Sequence, residues 1–241
     1  MAVEESIRFA RENVFVNAHS SVRLACTTAT GEERIVYVDP YLVDGAHGVA
    51  VAPHDADIIC ITHSHYDHFS PEDIQAVARE DGATRFVLPR SMREEALVAK
   101  VPGLTMDTIT VVVPGSPVTV LDVPIRATSA YNAAKPFHPR EKLWVGSVVE
   151  ATPGVRVYVC GDTDANPDCF ATDCDIICIP VGGKYTMNAP EASALVNAMF
   201  SAKGAPVVAI PTHYGSVTGT PADGETFAAR VREGIEVVVP Y

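Results

Sequence analysis

Short apolar runs alternate with amphipathic and turn-rich stretches along this chain. Residues 1–56 predict an all-β segment, in which runs at 21–28 and 35–38 flank the turn Thr30-Gly31-Glu32 as a hairpin. A loop that contains glycines and a proline is predicted over 43–54. Strands are further predicted at 57–61, 85–88, 109–113, 118–127, 144–150, 155–160, 175–179, 207–210 and 235–239, and helices at 72–80, 91–100, 188–202 and 220–233.

One two-strand pattern occurs once in each half of the chain. The sequence Val-Tyr-Val-Asp at 36–39 precedes Asp-Ile-Ile-Cys-Ile at 57–61, and Val-Tyr-Val-Cys at 157–160 precedes the same five residues at 175–179. This repetition predicts a single domain over 1–241 with two similar β-rich halves, roughly 1–125 and 126–241. Two β-sheets packed back to back with helices outside satisfy the pattern, so we expect an α+β fold with four layers, αββα.

The composition is that of a globular protein. The 241 residues are 47% hydrophobic and 20% charged, and no apolar run approaches the roughly 20 residues of a membrane-spanning helix. The net charge of −12 opposes binding to a phosphate backbone, so we expect neither nucleic acid nor a membrane as a partner. The acidic start at 1–5 indicates no secretory signal, which predicts the cytoplasm. The six cysteines are interpreted as structural residues, and the oligomeric state is left open.

A dense group of metal-capable side chains follows one of the predicted strands. His63, His65, Asp67 and His68 fall within six residues, directly after the apolar run at 57–61. Residues two apart face the same side of an extended chain, so His63 and His65 can converge on one ion. Imidazole and carboxylate ligands suit a divalent cation of the zinc class. The sequence therefore predicts a metal site in the loop between this strand and the next helix.

Two further candidate ligands follow later strands. Asp162 stands in Gly161-Asp162-Thr163, and His213 stands in Thr212-His213-Tyr214-Gly215. The order H-x-H-x-D-H, then a lone Asp in G-D-T, then a lone His resembles the metallo-β-lactamase-fold hydrolases over nearly the whole chain. Because long insertions are lacking, the chain looks most similar to compact metal-dependent hydrolases akin to ascorbate-6-phosphate lactonase. His19, followed by Ser20-Ser21, could line a site, but a lone histidine is more often a turn or core residue.

The resemblance implies the metallo-β-lactamase fold and a metal-dependent activity. It implies a zinc-dependent hydrolase of a small ester-like, lactone or phosphorylated metabolite, in which metal-bound hydroxide attacks a carbonyl or phosphoryl centre. One or two Zn²⁺ ions are expected, with Mn²⁺ or iron as alternatives. Asp67 would also accept a hydrogen bond from the hydroxide and orient it, so it is the candidate catalytic residue. The implied ligands are His63 and His65 for a first metal, Asp67, His68 and His213 for a second, and Asp162 as the bridge.

The sequence departs from the family pattern at one ligand of the first metal. Relatives supply a further histidine between the main motif and the G-D-T, where this chain has Tyr131 or Asn132. Either His138 reaches the site from its loop, or water completes a weaker first site. We expect the second arrangement, and hence a metal content nearer one tight ion than two.

Candidate substrate-binding residues lie in two loops. His138 and Lys184-Tyr185 are expected to form a polar wall for an anionic group, with Arg140 as either a further member or a solvated loop charge. Gly182-Gly183, beside Lys184, is expected to allow close backbone approach.

Three other functions fit parts of the sequence. A phosphodiesterase or nuclease of the same fold needs a basic track or an extra domain, and the chain has no dense Lys/Arg run. A di-iron redox relative carries a carboxylate in place of His65 and needs a flavin partner, so His65 argues against that function. A metal-binding homologue without catalytic activity would account for the departure at Tyr131 or Asn132.

Overall fold

Two mixed β-sheets pack face to face in the computed structural model, which describes residues 2–45 and 51–240. In each sheet the strands lie in chain order, and each sheet combines an antiparallel part with a parallel part. The first sheet contains β1 (Val14–Ala18), β2 (Ser21–Thr27), β3 (Glu33–Val38), β4 (Ile58–Cys60), β5 (Arg85–Pro89) and β6 (Ile109–Val112). The second contains β7 (Pro117–Val120), β8 (Val123–Ser129), β9 (Val145–Thr152), β10 (Val155–Val159), β11 (Ile176–Pro180), β12 (Val208–Thr212) and β13 (Glu236–Val237).

Helices cover the outer faces of both sheets. Two helices pack against the first sheet, one through Ile74 and one through Ala96. Two others pack against the second sheet, one through Val196 and one through Phe227. The predicted four-layer αββα sandwich is therefore confirmed. The helices are α1 (Ala2–Asn13), α2 (Pro71–Val77), α3 (Arg93–Val98), α4 (Pro167–Ala171), α5 (Ala189–Lys203) and α6 (Ala222–Ala228), with short 3₁₀ turns at Arg90–Met92 and Arg140–Lys142. Within the described ranges, none of them has both the length and the apolar sequence to cross a membrane.

Side chains of the central strands alternate between the two cores that flank each sheet. Val36 and Val38 of β3 lie between the sheets, whereas Tyr37 lies under the helices. In β10, Val157 lies between the sheets and Tyr158 under the helices. Successive side chains of a strand point to opposite faces, and both faces are buried here, so these strands are continuously apolar.

The repeated two-strand pattern forms the same parallel pair in both sheets, β3 with β4 and β10 with β11. Before β4, the Asp57 carboxylate accepts a hydrogen bond from the backbone N of Ile35 at 2.8 Å. Before β11, the Asp175 carboxylate accepts one from the backbone N of Arg156 at 2.8 Å. The chain changes sheets between β6 and β7, and the single domain with halves at 1–125 and 126–241 stays a prediction.

The prediction of an all-β segment over 1–56 is wrong, because α1 occupies its start. Phe9 and Ala10 of this helix pack into the core between the sheets, and Glu4 and Glu5 lie in its first turn. Val3, Ile7 and Ala10 recur at helical spacing, so the sequence carried a helical signal that the β assignment overlooked. The predicted loop at 43–54 falls partly on 46–50, outside the described residues.

The prediction of one strand over 118–127 is also wrong. The chain reverses at Leu121 and Asp122, whose φ angles are 46° and 64°, and β7 and β8 pair as a hairpin. Hairpin turns with two positive φ angles usually carry Asn or Gly. This turn contains neither residue, so its sequence did not indicate a reversal.

Helix α5 begins with a reciprocal hydrogen-bonded cap. The Asn188 side chain accepts from the backbone N of Glu191 at 2.9 Å, and the Glu191 carboxylate accepts from the backbone N of Asn188 at 2.9 Å. The cap fixes the end of the loop that follows β11. The cap therefore lies at the end of the sandwich where β11 and β12 end.

Asn188→Ala is expected to lower the free energy of unfolding by about 1 kcal/mol, because it leaves the backbone N of Glu191 without its acceptor. Urea unfolding measures the change. Asn188→Asp keeps an oxygen acceptor and should stay within about 0.5 kcal/mol of the parent protein. Equal losses in the two variants would show that the cap contributes nothing to stability.

Candidate metal centre

Eight metal-capable side chains meet at one edge of the sandwich, where β1, β4, β10 and β12 end. Four follow β4, one follows β10 and one follows β12; the other two come from the β1–β2 turn and from the loop between β8 and β9. All are buried except His65, which is half-buried. The eight are His19, His63, His65, Asp67, His68, His138, Asp162 and His213.

The first group of donors contains His63, His65, His138 and Asp162, whose ligand atoms lie within 4.8 Å of one another. Nε2 of His63 lies 3.1 Å from Nδ1 of His65. Nε2 of His138 lies 3.2 Å from Oδ2 of Asp162, and Nε2 of His63 lies 3.9 Å from the same oxygen. The structure thus brings His138 to the place that the family pattern gives to its further histidine.

The second group contains His19, Asp67, His68 and His213. Asp162 lies between the two groups, because its Oδ2 is 3.0 Å from Nε2 of His213 and its Oδ1 is 3.2 Å from Nε2 of His68. One carboxylate therefore contacts histidines of both groups, which is the bridging position that the resemblance implies for Asp162.

Hydrogen bonds fix which ring nitrogen faces the centre. Nδ1 of His63 donates to the Thr62 hydroxyl at 3.0 Å, since that hydroxyl itself donates to Asp39. Nδ1 of His138 donates to the side-chain oxygen of Asn132 at 3.0 Å. In both rings Nε2 therefore carries no hydrogen, and its lone pair points towards the other candidate metal ligands. Such outer hydrogen bonds are the usual support of histidine ligands to a metal.

Several buried polar atoms at this centre lack hydrogen bonds. A buried donor or acceptor without a partner costs about 1–3 kcal/mol, so a cluster of them needs an explanation. Imidazole nitrogens and a carboxylate oxygen are ligands of divalent cations of the zinc class. The residues therefore fit a metal centre. The atoms are Nε2 of His68, Nε2 of His138, Oδ1 of Asp162 and both ring nitrogens of His213.

Charges within the centre support this assignment. Burial lowers the pKa of His63 well below its ordinary value, which keeps the ring neutral. Burial opposes ionisation of Asp162, but His213 and His68 lower its pKa well below the usual range. Burial also lowers the pKa of His68, yet Asp162 and Asp39 raise it well above 6.5. Asp162 and Asp39 thus favour positive charge between them, which a divalent cation would also supply.

His19 belongs to the site, which was the less favoured of the two interpretations of its sequence context. Its Nε2 donates to the Asp67 carboxylate at 3.1 Å, and its Nδ1 accepts from the Ser216 hydroxyl at 3.2 Å. Its carbonyl accepts from the backbone N of His213 at 2.8 Å. Burial, followed by His213, lowers the pKa of His19 to about 4. Burial opposes ionisation of Asp67, but the hydrogen bond from His19 lowers its pKa to about 2.

Asp39 is a second residue that sequence reasoning missed. Its Oδ2 accepts from Nδ1 of His68 at 2.7 Å, and its Oδ1 accepts from the backbone N of Thr62 at 2.8 Å. It directly follows β3, as Cys160-Gly161-Asp162 directly follows β10. A carboxylate just after a predicted strand, as at Asp162, was therefore the available signal, although Asp39 aligns with Cys160 in the two-strand repeat.

Two glycines let the chain segments that carry ligands approach one another. A Cβ atom on Gly161, where φ is 64°, would lie 3.0 Å from Cβ of Thr62 and 3.1 Å from the Val145 carbonyl. A Cβ on Gly182 would lie 2.1 Å from the carbonyl oxygen of His213. Gly182 thus allows close approach of the protein's own backbone, and Gly161 lets Asp162 enter the centre.

The candidate substrate-binding residues have separate positions. His138 lies among the metal donors, and Asn132 holds its ring. Lys184 is exposed, with its ammonium 4.8 Å from the centre of the Tyr185 ring, and Arg140 lies 3.8 Å from Asp168. A cavity of about 250 Å³ opens beside the centre. Its walls are His65, Tyr66, Asp67, Phe137, Asp162, Tyr185 and Val217.

Comparisons with known proteins agree with this fold. The profile of the beta-lactamase superfamily domain matches residues 19–213, which begin and end at donors of the second group. A UPF0173 metal-dependent hydrolase of Methanosphaerula palustris is 28% identical over 226 residues, 89% of this chain and 91% of that protein. A protein of Parabacteroides distasonis with a known crystal structure is 28% identical in sequence to this chain. The two structures have a TM-score of 0.71, over 94% of this chain and 91% of the other chain.

The fold itself has a named counterpart. A metallo-β-lactamase fold protein of Bacillus subtilis has a TM-score of 0.65 at 16% identity, over 92% of this chain and 88% of that one. The superfamily profile spans most of the chain, and the buried His and Asp donors lie where the two sheets meet. The chain has the metallo-β-lactamase fold and belongs to the beta-lactamase superfamily, as a metal-dependent hydrolase.

Proposed function

We propose that this chain is a zinc-dependent hydrolase of a small metabolite with an ester, lactone or phosphoryl bond. The observation that carries the proposal is the buried Asp162 carboxylate, which contacts histidines of two donor groups beside an open cavity. Mn²⁺ and iron are alternative metals. Six buried, free cysteines fit a reducing compartment, so we propose a cytoplasmic location.

The two donor groups would each hold one ion. His63, His65 and His138 would hold the first, and Asp67, His68 and His213 the second. Asp162 would contribute to both. Bound ions of this class polarise a carbonyl or phosphoryl oxygen and lower the pKa of water to about 7.

The protein's own groups prepare the reactants. Asp67 lines the cavity as a carboxylate, because its low pKa keeps it ionised at neutral pH. It can accept a hydrogen bond from the attacking water and turn one water lone pair towards the substrate carbon. His19 holds Asp67 in place at 3.1 Å, and Ser216 in turn donates to His19. Phe137 and Tyr185 line the cavity, and their rings pack edge to face at 4.8 Å.

Zinc-loaded protein is expected to hydrolyse at least one member of a panel of lactones, aryl esters and phosphodiesters. Treatment with a chelator should reduce the rate at least ~100-fold, because the metal supplies the electrophile, and added zinc should restore it. Rates are measured by product release. A protein that holds zinc but turns over no substrate would be the non-catalytic homologue, and turnover of phosphodiesters alone would favour the phosphodiesterase.

His138→Ala should lower the zinc content from about two ions per chain to about one, since the first group loses one of its four donors. Elemental analysis after dialysis gives the number. This expectation replaces the single tight ion inferred from the sequence, because His138 lies 3.2 Å from Asp162. His54→Ala changes an exposed histidine outside the centre and serves as the control. Two zinc ions in His138→Ala would contradict the assignment of this donor.

His19→Asn should weaken zinc binding by the second group about 10- to 100-fold, because Asp67 loses the hydrogen bond that orients it. Asparagine tolerates the left-handed backbone that His19 adopts at φ 51°. His54→Asn is a matched control, since His54 has φ 55° and lies outside the centre. Competition with a chromophoric chelator measures both affinities. Unchanged affinity in His19→Asn would mean that Asp67 needs no support from this ring.

A further inference from the structure

Apolar side chains form the outer wall of the cavity beside the metal donors. Tyr66, Phe137, Tyr185 and Val217 share its lining with His65, Asp67 and Asp162. Tyr66 is 67% exposed and Phe137 is 38% exposed, although both are large and apolar. Large exposed apolar residues that converge on one concave site indicate contact with a ligand.

The wall is carried by the same loops that carry the metal donors. Tyr66 stands between His65 and Asp67, and Phe137 directly precedes His138. Asn132 joins the two sides, because it accepts from His138 and its amide donates to the Tyr185 carbonyl at 3.0 Å. The position of the wall is therefore coupled to that of the donors.

The aromatic rings of the wall are held by one another. The rings of Phe137 and Tyr185 meet edge to face, with centroids 4.8 Å apart and planes at 85°. The Tyr66 ring meets that of Tyr41 at 6.3 Å and 78°. Edge-to-face pairs of this geometry are favourable, so the rings present a formed surface and lose little freedom when a ligand binds.

Cationic groups near the cavity are directed to other partners. Among the described residues that line it there is no Lys or Arg, whereas Asp67 and Asp162 are both present. Lys184 lies over the Tyr185 ring, and Lys135 lies 3.3 Å from Asp164. The arrangement differs from the polar wall expected from the sequence, since the described lining of the cavity contains carboxylates and no lysine or arginine.

We propose that this apolar wall binds the uncharged, apolar part of an ester or lactone, of about the size of one substituted aryl ring. An apolar cavity of about 150 Å³ accommodates benzene, so the 250 Å³ here holds a ring with a short substituent. The substrate class rests on the proposed function. In the reaction, water breaks the acyl–oxygen bond: its hydroxyl joins the acyl carbon, and its proton goes to the leaving oxygen.

The test uses acetanilide, a slowly hydrolysed amide analogue of phenyl acetate, and its 4-carboxylate as binding probes for the zinc-loaded protein. The single tryptophan, Trp144, lies 5.0 Å from the His63 ring, so its fluorescence reports binding near the centre. We expect acetanilide to bind at least ~10-fold more tightly than its 4-carboxylate. At low substrate concentration, phenyl acetate should be hydrolysed at least ~10-fold faster than the 4-carboxylate of phenyl acetate.

Phe137→Ala and Tyr185→Ala should each weaken binding of acetanilide about tenfold, with zinc content unchanged. Phe170→Ala is the matched control, because Phe170 is also 38% exposed but packs against Lys203 away from the cavity. Equal or tighter binding of the carboxylate, or unchanged affinity in both wall variants, overturns the proposal. Selective binding of acetanilide without hydrolysis of any ester would support the wall and refute the hydrolase. Faster hydrolysis of anionic esters would support the hydrolase and refute the wall.

Discussion

The buried carboxylate of Asp162 is the constraint on which the centre depends. It lies 3.0–3.2 Å from nitrogens of His68, His138 and His213, yet its Oδ1 makes no hydrogen bond. An ionised group out of contact with water requires compensation by opposite charge. Nε2 of His138 turns a lone pair inwards, since the side-chain oxygen of Asn132 accepts the hydrogen of its Nδ1. A divalent cation resolves this conflict, and the roles proposed for the neighbouring residues follow from it.

The fold brings these groups together by ending strands of both sheets at one edge. The repeated parallel pairs are followed by Asp39 after β3 and by Asp162 after β10, so each sheet contributes an acidic residue close to the end of a corresponding strand. The backbone N of Val145 donates to the Thr62 carbonyl at 3.1 Å and ties the two sheet ends together. Gly161 is needed at this junction, because a side chain there would meet Thr62. Packing between the sheets therefore sets the distance between the donor groups.

Much of the fold and site could be predicted from sequence, for identifiable reasons. Strands buried on both faces are continuously apolar, and the spacing of His63, His65, Asp67 and His68 is specific enough to indicate a metal. Helix α2 begins at the predicted place, because Ser70 accepts from the backbone N of Asp73. The β7–β8 turn was missed because it contains no glycine, and helix α1 was overlooked although its apolar residues recur at helical spacing.

The contribution of His138 and His19 could not be derived from local sequence. His138 reaches the centre only because Asn132 folds its loop back through a pair of hydrogen bonds, and His19 meets Asp67 across 48 positions of chain. Such contacts depend on tertiary structure, which spacing does not encode. The apolar wall of Tyr66, Phe137 and Tyr185 likewise arises from loops that are distant in sequence.

Anomalous diffraction from crystals of the zinc-loaded protein tests the central claim most directly. We predict two zinc peaks, one among His63, His65 and His138 and one among Asp67, His68 and His213, with Asp162 oxygens in contact with both. Peaks that leave Asp162 without a metal contact, or a refined structure with Asp162 hydrogen-bonded to His213 and no metal beside it, would contradict the account.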